Sequence, residues 1–373
     1  MRLPLKRFAL ILCVISSALL FAFVLPGCGG GSHHTLFLIG AGTPSVGSFD
    51  IGSSGALSLT TTTTTSGSDP QGIVVDAQRR YCYVLNNAGS TLMGAVLQYA
   101  IDQKHGTLSV VQAPNASSNL TQPVTPIPTG IQPSAIAIDP KSNFVFVSNY
   151  GSDSISVFAL DQTDGALTEV AGSPVALATG SKPISLVARG GNLFVANQGA
   201  GTVAAYSFSS AGALTLNSMV TVGANTTSIT SDPGGKYVFV ADGTANTVTT
   251  FTVSGSSLSG GTSPTAVGTG PSNLYVDPSG SYLYVTNSGS GNLSGFTIGS
   301  GSLSPISGSP FTTGAGPSFV TSNSSGNLLF VANGGAASVS SFQVGGGGAL
   351  TAASGSPYEA TGYNSPNGLA SAE

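Results

Sequence analysis

The chain has 373 residues, a formal net charge of −4 and charged residues at 6% of positions, against the ~25% of an ordinary globular domain. It lacks a basic stretch outside its first residues, so we expect no nucleic-acid partner. A disordered chain is also excluded, because 40% of residues are hydrophobic and they recur in a regular pattern.

Residues 1–28 read as an export signal. A short basic region is followed by an apolar stretch over residues 8–24, and the segment ends in Leu25-Pro26-Gly27-Cys28. This ending resembles the lipobox of bacterial lipoproteins, which implies that Cys28 receives a lipid and becomes the new N-terminus. An ordinary signal peptide, or a membrane anchor that ends in Cys by coincidence, is the alternative.

Residues 29–35 follow as a flexible Gly/Ser spacer, which a domain tethered to a bilayer needs. We expect an exported protein attached to the cell envelope, with the outer membrane or cell surface favoured because Gly29, rather than Asp, follows Cys28. The pair His33-His34 has no rigid frame around it and is not expected to form a metal site.

From here to the end, one short aromatic strand recurs. Its clearest copy is Tyr282-Leu283-Tyr284-Val285-Thr286-Asn287, and seven copies end at positions 40, 86, 149, 197, 242, 287 and 333. The steps between them are 46, 63, 48, 45, 45 and 46 residues. A period in the mid-forties with several short strands per repeat is typical of β-propeller blades.

A second motif, Pro-x-x-apolar-x-x-Asp, precedes each aromatic strand except the first, and we interpret it as the innermost strand of a blade. A third strand and a Gly-x-Leu turn into a fourth strand complete each repeat. Residues 366–372 form one more copy of the inner strand with nothing after it. The sequence therefore predicts an all-β, seven-bladed propeller of four-stranded antiparallel blades over residues 36–373, closed when the C-terminal strand joins the N-terminal blade.

Three features depart from this repeat. The long step contains an insertion at residues 112–127, which we expect to be a surface loop. The six threonines at residues 60–65 suggest an exposed fourth strand. Cys82 lies between two tyrosines of an aromatic strand and is expected to be a buried, unreactive thiol.

The repeat resembles that of the lactonase family of seven-bladed propellers, the 6-phosphogluconolactonase-like and YVTN-repeat proteins. The segment from Asp277-Pro278-Ser279-Gly280 to Asn287 carries this resemblance best. The resemblance implies the propeller fold over nearly the whole chain after residue 35. It says less about activity, since non-catalytic surface proteins share the repeat.

The enzymes of that family carry a Pro-His pair, an Arg-His pair and a Glu at places that read Pro133-Ser134, Thr227-Ser228 and Asp242-Gly243 here. A family Gly-x-Asp survives at Gly151-Ser152-Asp153, although turn formation is an alternative role for Asp153. Arg189 replaces the repeated Asp at the end of an inner strand, where we expect it near the mouth of the channel. Asp153 and Arg189 are therefore the weak catalytic candidates.

Opening a lactone requires a general base and a group that stabilises the developing oxyanion. Beyond the spacer the sequence has one His, His105, in a predicted hairpin turn, and it shows no metal or cofactor motif. We therefore expect a non-catalytic, monomeric binding or scaffold protein with an unidentified protein or glycan ligand. The alternative is a lactone hydrolase resembling 6-phosphogluconolactonase.

Overall fold

The computed structural model describes residues 34–65, 67, 69–114, 121–123 and 125–372. The predicted leader, Cys28 and most of the spacer lie outside the described residues. The described chain consists almost wholly of antiparallel β-strands, with one 3₁₀ turn at Gly346–Gly348. Among these residues, no helix has the length and hydropathy needed to cross a membrane.

Seven blade sheets form the structure, and we number the blades in chain order. In blades 2 to 7, the strands run outward from an inner strand in the order in which they occur in the chain; in blade 1 the inner strand is the last strand of the chain. Blades 1 to 3 contain the following strands: β1 (Thr35–Gly40), β2 (Ser45–Ile51) and β3 (Leu57–Thr64); β4 (Pro70–Val75), β5 (Tyr81–Asn86), β6 (Met93–Asp102), β7 (Thr107–Val110) and β10 (Ile127–Ile131); β11 (Pro133–Ile138), β12 (Phe144–Asn149), β13 (Ser154–Leu160), β14 (Leu167–Glu169) and β15 (Val175–Ala176).

The next two blades contain β16 (Pro183–Arg189), β17 (Asn192–Asn197), β18 (Thr202–Phe208) and β19 (Leu214–Thr221), then β20 (Thr226–Ser231), β21 (Tyr237–Asp242), β22 (Thr247–Ser254), β23 (Ser257–Ser259) and β24 (Thr265–Ala266). Blades 6 and 7 contain β25 (Pro271–Val276), β26 (Tyr282–Asn287), β27 (Asn292–Gly299), β28 (Ser302–Pro305) and β29 (Phe311–Thr312), then β30 (Pro317–Ser322), β31 (Leu328–Asn333), β32 (Ser338–Val344), β33 (Leu350–Ala352) and β34 (Tyr358–Glu359).

The last strand, β35 (Pro366–Ala372), closes the ring. It pairs antiparallel with β1, with Leu369 opposite Leu38, and so becomes the inner strand of blade 1. This pairing confirms the predicted closure, and the predicted seven-bladed propeller is confirmed with it. β1 begins at Thr35, the last residue of the predicted spacer.

The outer strand differs between blades. In blades 1 and 4 it is one continuous strand, whereas in blades 3, 5, 6 and 7 it is broken into two short pieces that both pair with the third strand. In blade 2 the two pieces, β7 and β10, are separated by the insertion, which contains the hairpin of β8 (Gln112–Pro114) and β9 (Thr121–Pro123). The insertion thus contains a two-stranded hairpin where the sequence suggested a surface loop.

Seven hydrophobic clusters hold the ring together, one at each junction between neighbouring blades. The recurring aromatic residue of the second strand is fully buried at the junction with the following blade; its seven copies are Phe37, Tyr83, Phe146, Phe194, Phe239, Tyr284 and Phe330. Each such side chain stabilises its junction by roughly 1.5–3 kcal/mol. The period seen in the sequence is therefore the period of this buried aromatic residue.

Cys82 lies on the same strand as Tyr83 and is also fully buried. Burial, with a smaller contribution from the charge of Asp76, raises the pKa of the Cys82 thiol. The thiol packs in the junction between blades 1 and 2, so the thiolate needed for reactivity is disfavoured.

Candidate functional site

The seven inner strands surround a central channel of about 550 Å³. Every blade contributes residues to its wall, and these carry aliphatic, hydroxyl or amide groups, together with the aromatic Phe319 and Tyr275. The wall contains no Asp, Glu, His, Lys, Arg or Cys among the described residues, and Tyr275 is its one ionisable group. Burial raises the pKa of Tyr275 to about 12, so this phenol stays protonated at neutral pH.

The two ends of the channel differ. We call the end where the inner strands begin the strand-start face, and the end where they finish the turn face. On the turn face, the repeated Asp of the inner-strand motif closes the hairpin in blades 2, 3, 5 and 6. The Asp277 carboxylate, for example, accepts hydrogen bonds from the backbone N–H groups of Ser279, Ser281 and Tyr282 at 3.0, 2.8 and 2.7 Å. These acids are committed to turns.

Ser134, at the position of the family's Pro-His pair, belongs to a ring of equivalent residues on the strand-start face. Each is the second residue of an inner strand: Gln71, Ser134, Ile184, Thr227, Ser272, Ser318 and Asn367. Ser134 Oγ donates to the Pro183 carbonyl of the next blade at 2.7 Å. Four other members make the same bond to the first residue of the following inner strand, at 2.6–2.9 Å: Thr227, Ser272, Ser318 and Asn367.

The Thr227-Ser228 pair, which replaces the family's Arg-His, has the same structural role. Thr227 belongs to the ring just described, and Ser228 Oγ accepts a hydrogen bond from the Leu274 N–H of the next blade at 3.1 Å. Ser185 does the same for Ile229 at 3.3 Å. At these positions the chain has hydroxyl groups that join blades, where the family enzymes have side chains suited to acid–base chemistry.

The position of the family Glu is occupied by Gly243, and the space there is small. A Cβ on Gly243 would lie 2.7 Å from Thr227 Cγ2 and 2.9 Å from Asn225 Nδ2. The preceding Asp242 accepts backbone hydrogen bonds from Thr244 and Ala245 at 2.8 and 3.0 Å through one carboxylate oxygen. A Glu side chain here would require the side chains of Thr227 and Asn225 to move.

Asp153, the first weak candidate, lies in the loop between β12 and β13 on the strand-start face. Its carboxylate accepts hydrogen bonds from the backbone N–H groups of Gly180 and Lys182 at 2.9 and 2.7 Å, and Lys182 Nζ lies 3.8 Å away. Asn246 makes the equivalent bond to the Gly270 N–H at 2.8 Å, two blades further on. Asp153 and Asn246 thus make the same contact, in which a side-chain oxygen in one loop accepts a hydrogen bond from the backbone just before the next inner strand. We call this contact the latch.

Arg189, the second weak candidate, ends β16 on the turn face, where Gly190 and Gly191 have φ values of 61° and 81°. The five-residue Asp turn of the other blades is shortened here, and Arg189 pairs directly with Asn192. The guanidinium is partly buried, which lowers its pKa, while the charge of Asp232 on the next blade opposes this shift. Its buried Nε atom has no hydrogen-bond partner.

The structure does not bring the two candidates together. Lys182, which contacts Asp153, precedes β16, and Arg189 ends it, so the two candidates are separated by about the length of a seven-residue strand, roughly 20 Å. Neither residue lies in the wall of the channel. His105 lies on the turn face, exposed, with Nδ1 2.7 Å from Asp102 Oδ2. Within the described part of the chain, no group of three or more His, Cys, Asp or Glu side chains could hold a metal ion.

Comparison with known proteins agrees with this architecture. The family model described as Lactonase, 7-bladed beta-propeller, matches residues 31–217, 173–262 and 256–367. The chain belongs to this lactonase family. No curated protein matches the sequence.

Among solved structures, this lactonase-family chain is similar to the Pseudomonas aeruginosa periplasmic gluconolactonase PpgL, with a TM-score of 0.76 and 18% identity over 92% of this chain and 99% of the other. A Bacteroides fragilis protein, provisionally assigned as a 6-phosphogluconolactonase, gives a TM-score of 0.74 and 17% identity over 92% and 98%. The virginiamycin B lyase of Staphylococcus aureus gives 0.54 and 13% over 80% and 87%. At such identities these likenesses show the fold.

Sequence reasoning missed the ring of bonds between blades. Its signal was present, because a hydroxyl or amide residue follows the first residue of five inner strands that make the bond. In one sequence, however, a polar residue beside a channel cannot be assigned to ligand binding or to blade contacts. Only the position of the acceptor carbonyl decides this. That carbonyl lies 44 to 49 residues further along the chain for Ser134, Thr227, Ser272 and Ser318.

Proposed function

We propose that this chain is an exported, lipid-anchored propeller that binds a ligand at the cell envelope without transforming it. The observation that carries the proposal is the composition of the channel wall: its described residues offer hydroxyl, amide, aliphatic and aromatic groups but no carboxylate, imidazole or cation. A phosphorylated substrate would need Arg or Lys in this wall. Neutral hydroxyl and amide groups favour an uncharged ligand such as a glycan, or a peptide segment of a partner protein.

The alternative is a lactone hydrolase. It is favoured by the similarity to a protein named as a periplasmic gluconolactonase, a location that would agree with the export proposed here. Because one fold hosts many activities, that similarity is weaker support than the composition of the site. In this alternative, Asp153 or Arg189 would contribute to turnover. Because they lie on opposite faces of the propeller, they could not act together at one site.

The first experiment measures hydrolysis of gluconolactone and of its 6-phosphate by the chain from residue 32 onward, which forms one compact unit. We expect the same rate as in protein-free buffer. Saturable turnover would contradict the binding proposal. Loss of that turnover in Arg189→Ala or Asp153→Asn would then identify the residue responsible.

The second experiment tests the anchor with the full-length chain expressed in a bacterium. Cys28→Ser should move the protein from the membrane fraction to the soluble fraction and abolish incorporation of labelled fatty acid. Cys13→Ser is the matched control, since Cys13 lies inside the apolar stretch of the leader and should leave both readouts unchanged. Membrane association of the Cys28→Ser protein would refute lipidation as the anchor.

A further inference from the structure

The outer wall of the propeller has an apolar slot between neighbouring blades, and this slot is open between blades 3 and 4. In blades 3, 6 and 7, the outer strand resumes after a Gly-Ser-Pro segment with a residue that pairs with the third strand. These equivalent residues are Val175 opposite Ile155, Phe311 opposite Leu293 and Tyr358 opposite Val339. Each faces the next blade, because its partner belongs to the cluster at that junction.

Blades 6 and 7 fill the slot with their own aromatic side chains. Phe311 is 9% exposed and packs in the cluster between blades 6 and 7 together with Ile306. Tyr358 packs against the cluster between blades 7 and 1. The repeat itself therefore shows that an aromatic ring is the group that fits this position.

Blade 3 has smaller residues at both places, Val175 instead of Phe311 and Val170 instead of Ile306. A groove of about 290 Å³ remains there, lined by Val157, Val170 and Val175 of blade 3 and by Leu214 of blade 4, among others. No lining residue is charged. The groove lies where blades 6 and 7 have the aromatic side chains of Phe311 and Tyr358.

The neighbouring outer strand, β19, provides a long open edge beside the groove. It has eight residues, pairs with β18 on its inner side, and no described strand covers its outer side. A bulge at Asn217 puts Leu216 opposite Tyr206 and Met219 opposite Ala204, so both point to the blade 3 side of the sheet. Leu216 and Met219 are 51% and 50% exposed.

We propose that this groove and β19 form a docking site for an extended, uncharged peptide strand of a partner protein. The partner strand adds to the outer edge of β19 by backbone hydrogen bonds and inserts one aromatic side chain into the groove, between Val175 and Leu214. Residues 190–231 of blade 4 contain no charged side chain, and neither does the lining of the groove, so an uncharged partner matches this surface. The site is separate from the channel and does not depend on what the channel binds.

Blade 1 provides a natural control. Its outer strand, β3, is also continuous, and Leu59 is 47% exposed on it. The corresponding slot on its blade 7 side is already occupied by Tyr358. We therefore expect binding at blade 4 and none at blade 1, although both edges are open.

The probe is a short acetylated and amidated peptide of alternating Thr and Val with one central Phe. The chain has methionines only at positions 1, 93 and 219, so ¹³C-methyl labelling of the unit from residue 32 onward reports on Met219 beside the groove and on Met93 in blade 2. We expect the peptide to shift the Met219 methyl signal saturably and leave Met93 unchanged.

Val175→Phe, which copies blade 6, should fill the groove and weaken peptide binding by at least about tenfold without lowering the unfolding midpoint. A peptide with Ser in place of Phe should lose affinity similarly, and Leu59→Ser should change nothing. No shift of Met219 at millimolar peptide, or unchanged affinity in Val175→Phe, would overturn the proposal. Concentration-dependent dimers that disappear in Val175→Phe would also overturn it, because they would identify a second copy as the occupant.

Discussion

Individual carboxylates in this propeller mostly accept hydrogen bonds from backbone N–H groups, as Asp277 does in its turn and Asp153 does in its latch. The repeated Asp occurs in a chain with few charged residues because its carboxylate is needed as a hydrogen-bond acceptor in the turn. Asn323 replaces it in blade 7 and still accepts from the Leu328 N–H at 2.9 Å. An acceptor oxygen is therefore what the position requires, and a negative charge is not essential.

Asp153 is the residue at which a latch and a catalytic base make opposite predictions about pKa. Burial raises the pKa of Asp153, but hydrogen bonds from the Lys182 and Gly180 N–H groups and the charge of Lys182 lower it further, so the net shift is downward. A lowered pKa in the folded state stabilises the fold above the ordinary value of about 3.9. That contribution is lost as the pH falls through the lowered value.

We therefore expect carboxyl NMR titration to give Asp153 a pKa below that of an unfolded Asp. The unfolding free energy of the wild type should fall relative to that of Asp153→Asn as the pH drops below about 4. Asn is the appropriate control because Asn246 forms the same latch. A pKa above the ordinary value would contradict the latch and favour a role in proton transfer.

At the scale of strands, the blades are joined twice, by the buried aromatic residues and by the hydroxyl and amide ring around the channel. The two contacts differ in what they demand. Packing requires a large apolar side chain, and the hydrophobic pattern of the sequence shows where one is. The ring of bonds requires a side-chain donor within reach of one carbonyl on the inner strand of the next blade. Two of the seven members do not make this bond: Ile184 has no side-chain donor, and Gln71 Nε2 donates to the Asp69 carbonyl instead. The ring of bonds thus tolerates two interruptions.

Ser134→Ala removes the donor to the Pro183 carbonyl, and we expect the free energy of unfolding to fall by about 1 kcal/mol, the usual net value of one hydrogen bond. Urea unfolding measures it, and Ser134→Thr, which keeps the hydroxyl as Thr227 does, should restore most of the loss. Wild-type stability in Ser134→Ala would show that the hydroxyl is dispensable for the fold and available to a ligand.

For the whole molecule, closure by β35 determines whether the ring has a free edge. β1 is buried along its full length, and its inner edge is paired by β35 alone among the described strands. Asn367 Nδ2 also donates to the Pro70 carbonyl at 2.9 Å, which extends the ring of bonds across the closing junction. An unpaired β1 would expose an apolar strand edge, which favours aggregation.

A chain truncated after residue 364 should therefore lose its monomeric peak in size-exclusion chromatography and its cooperative thermal transition. Removal of residue 373 alone is the control and should leave both unchanged. A monomeric truncated chain with the wild-type transition would mean that the blades are stable without the closing strand.

The sequence determined the fold in this protein because the period of its buried aromatic residues counts the blades, and the unpaired inner-strand motif at residues 366–372 shows how they close. It also located the positions where the family enzymes carry their His, Arg and Glu. It could not show that Ser134 and Ser228 bond to the next blade, or that a side chain at Gly243 would collide with those of Thr227 and Asn225.

Only the tertiary structure decided those points, and it also separated Asp153 from Arg189 by the length of a strand and left a slot open beside Val175. The physical reason is the same in each case. Burial periodicity is a property of one repeat and can be read along the chain, whereas a hydrogen-bond acceptor, an excluded volume or an unfilled slot belongs to two blades that meet in space.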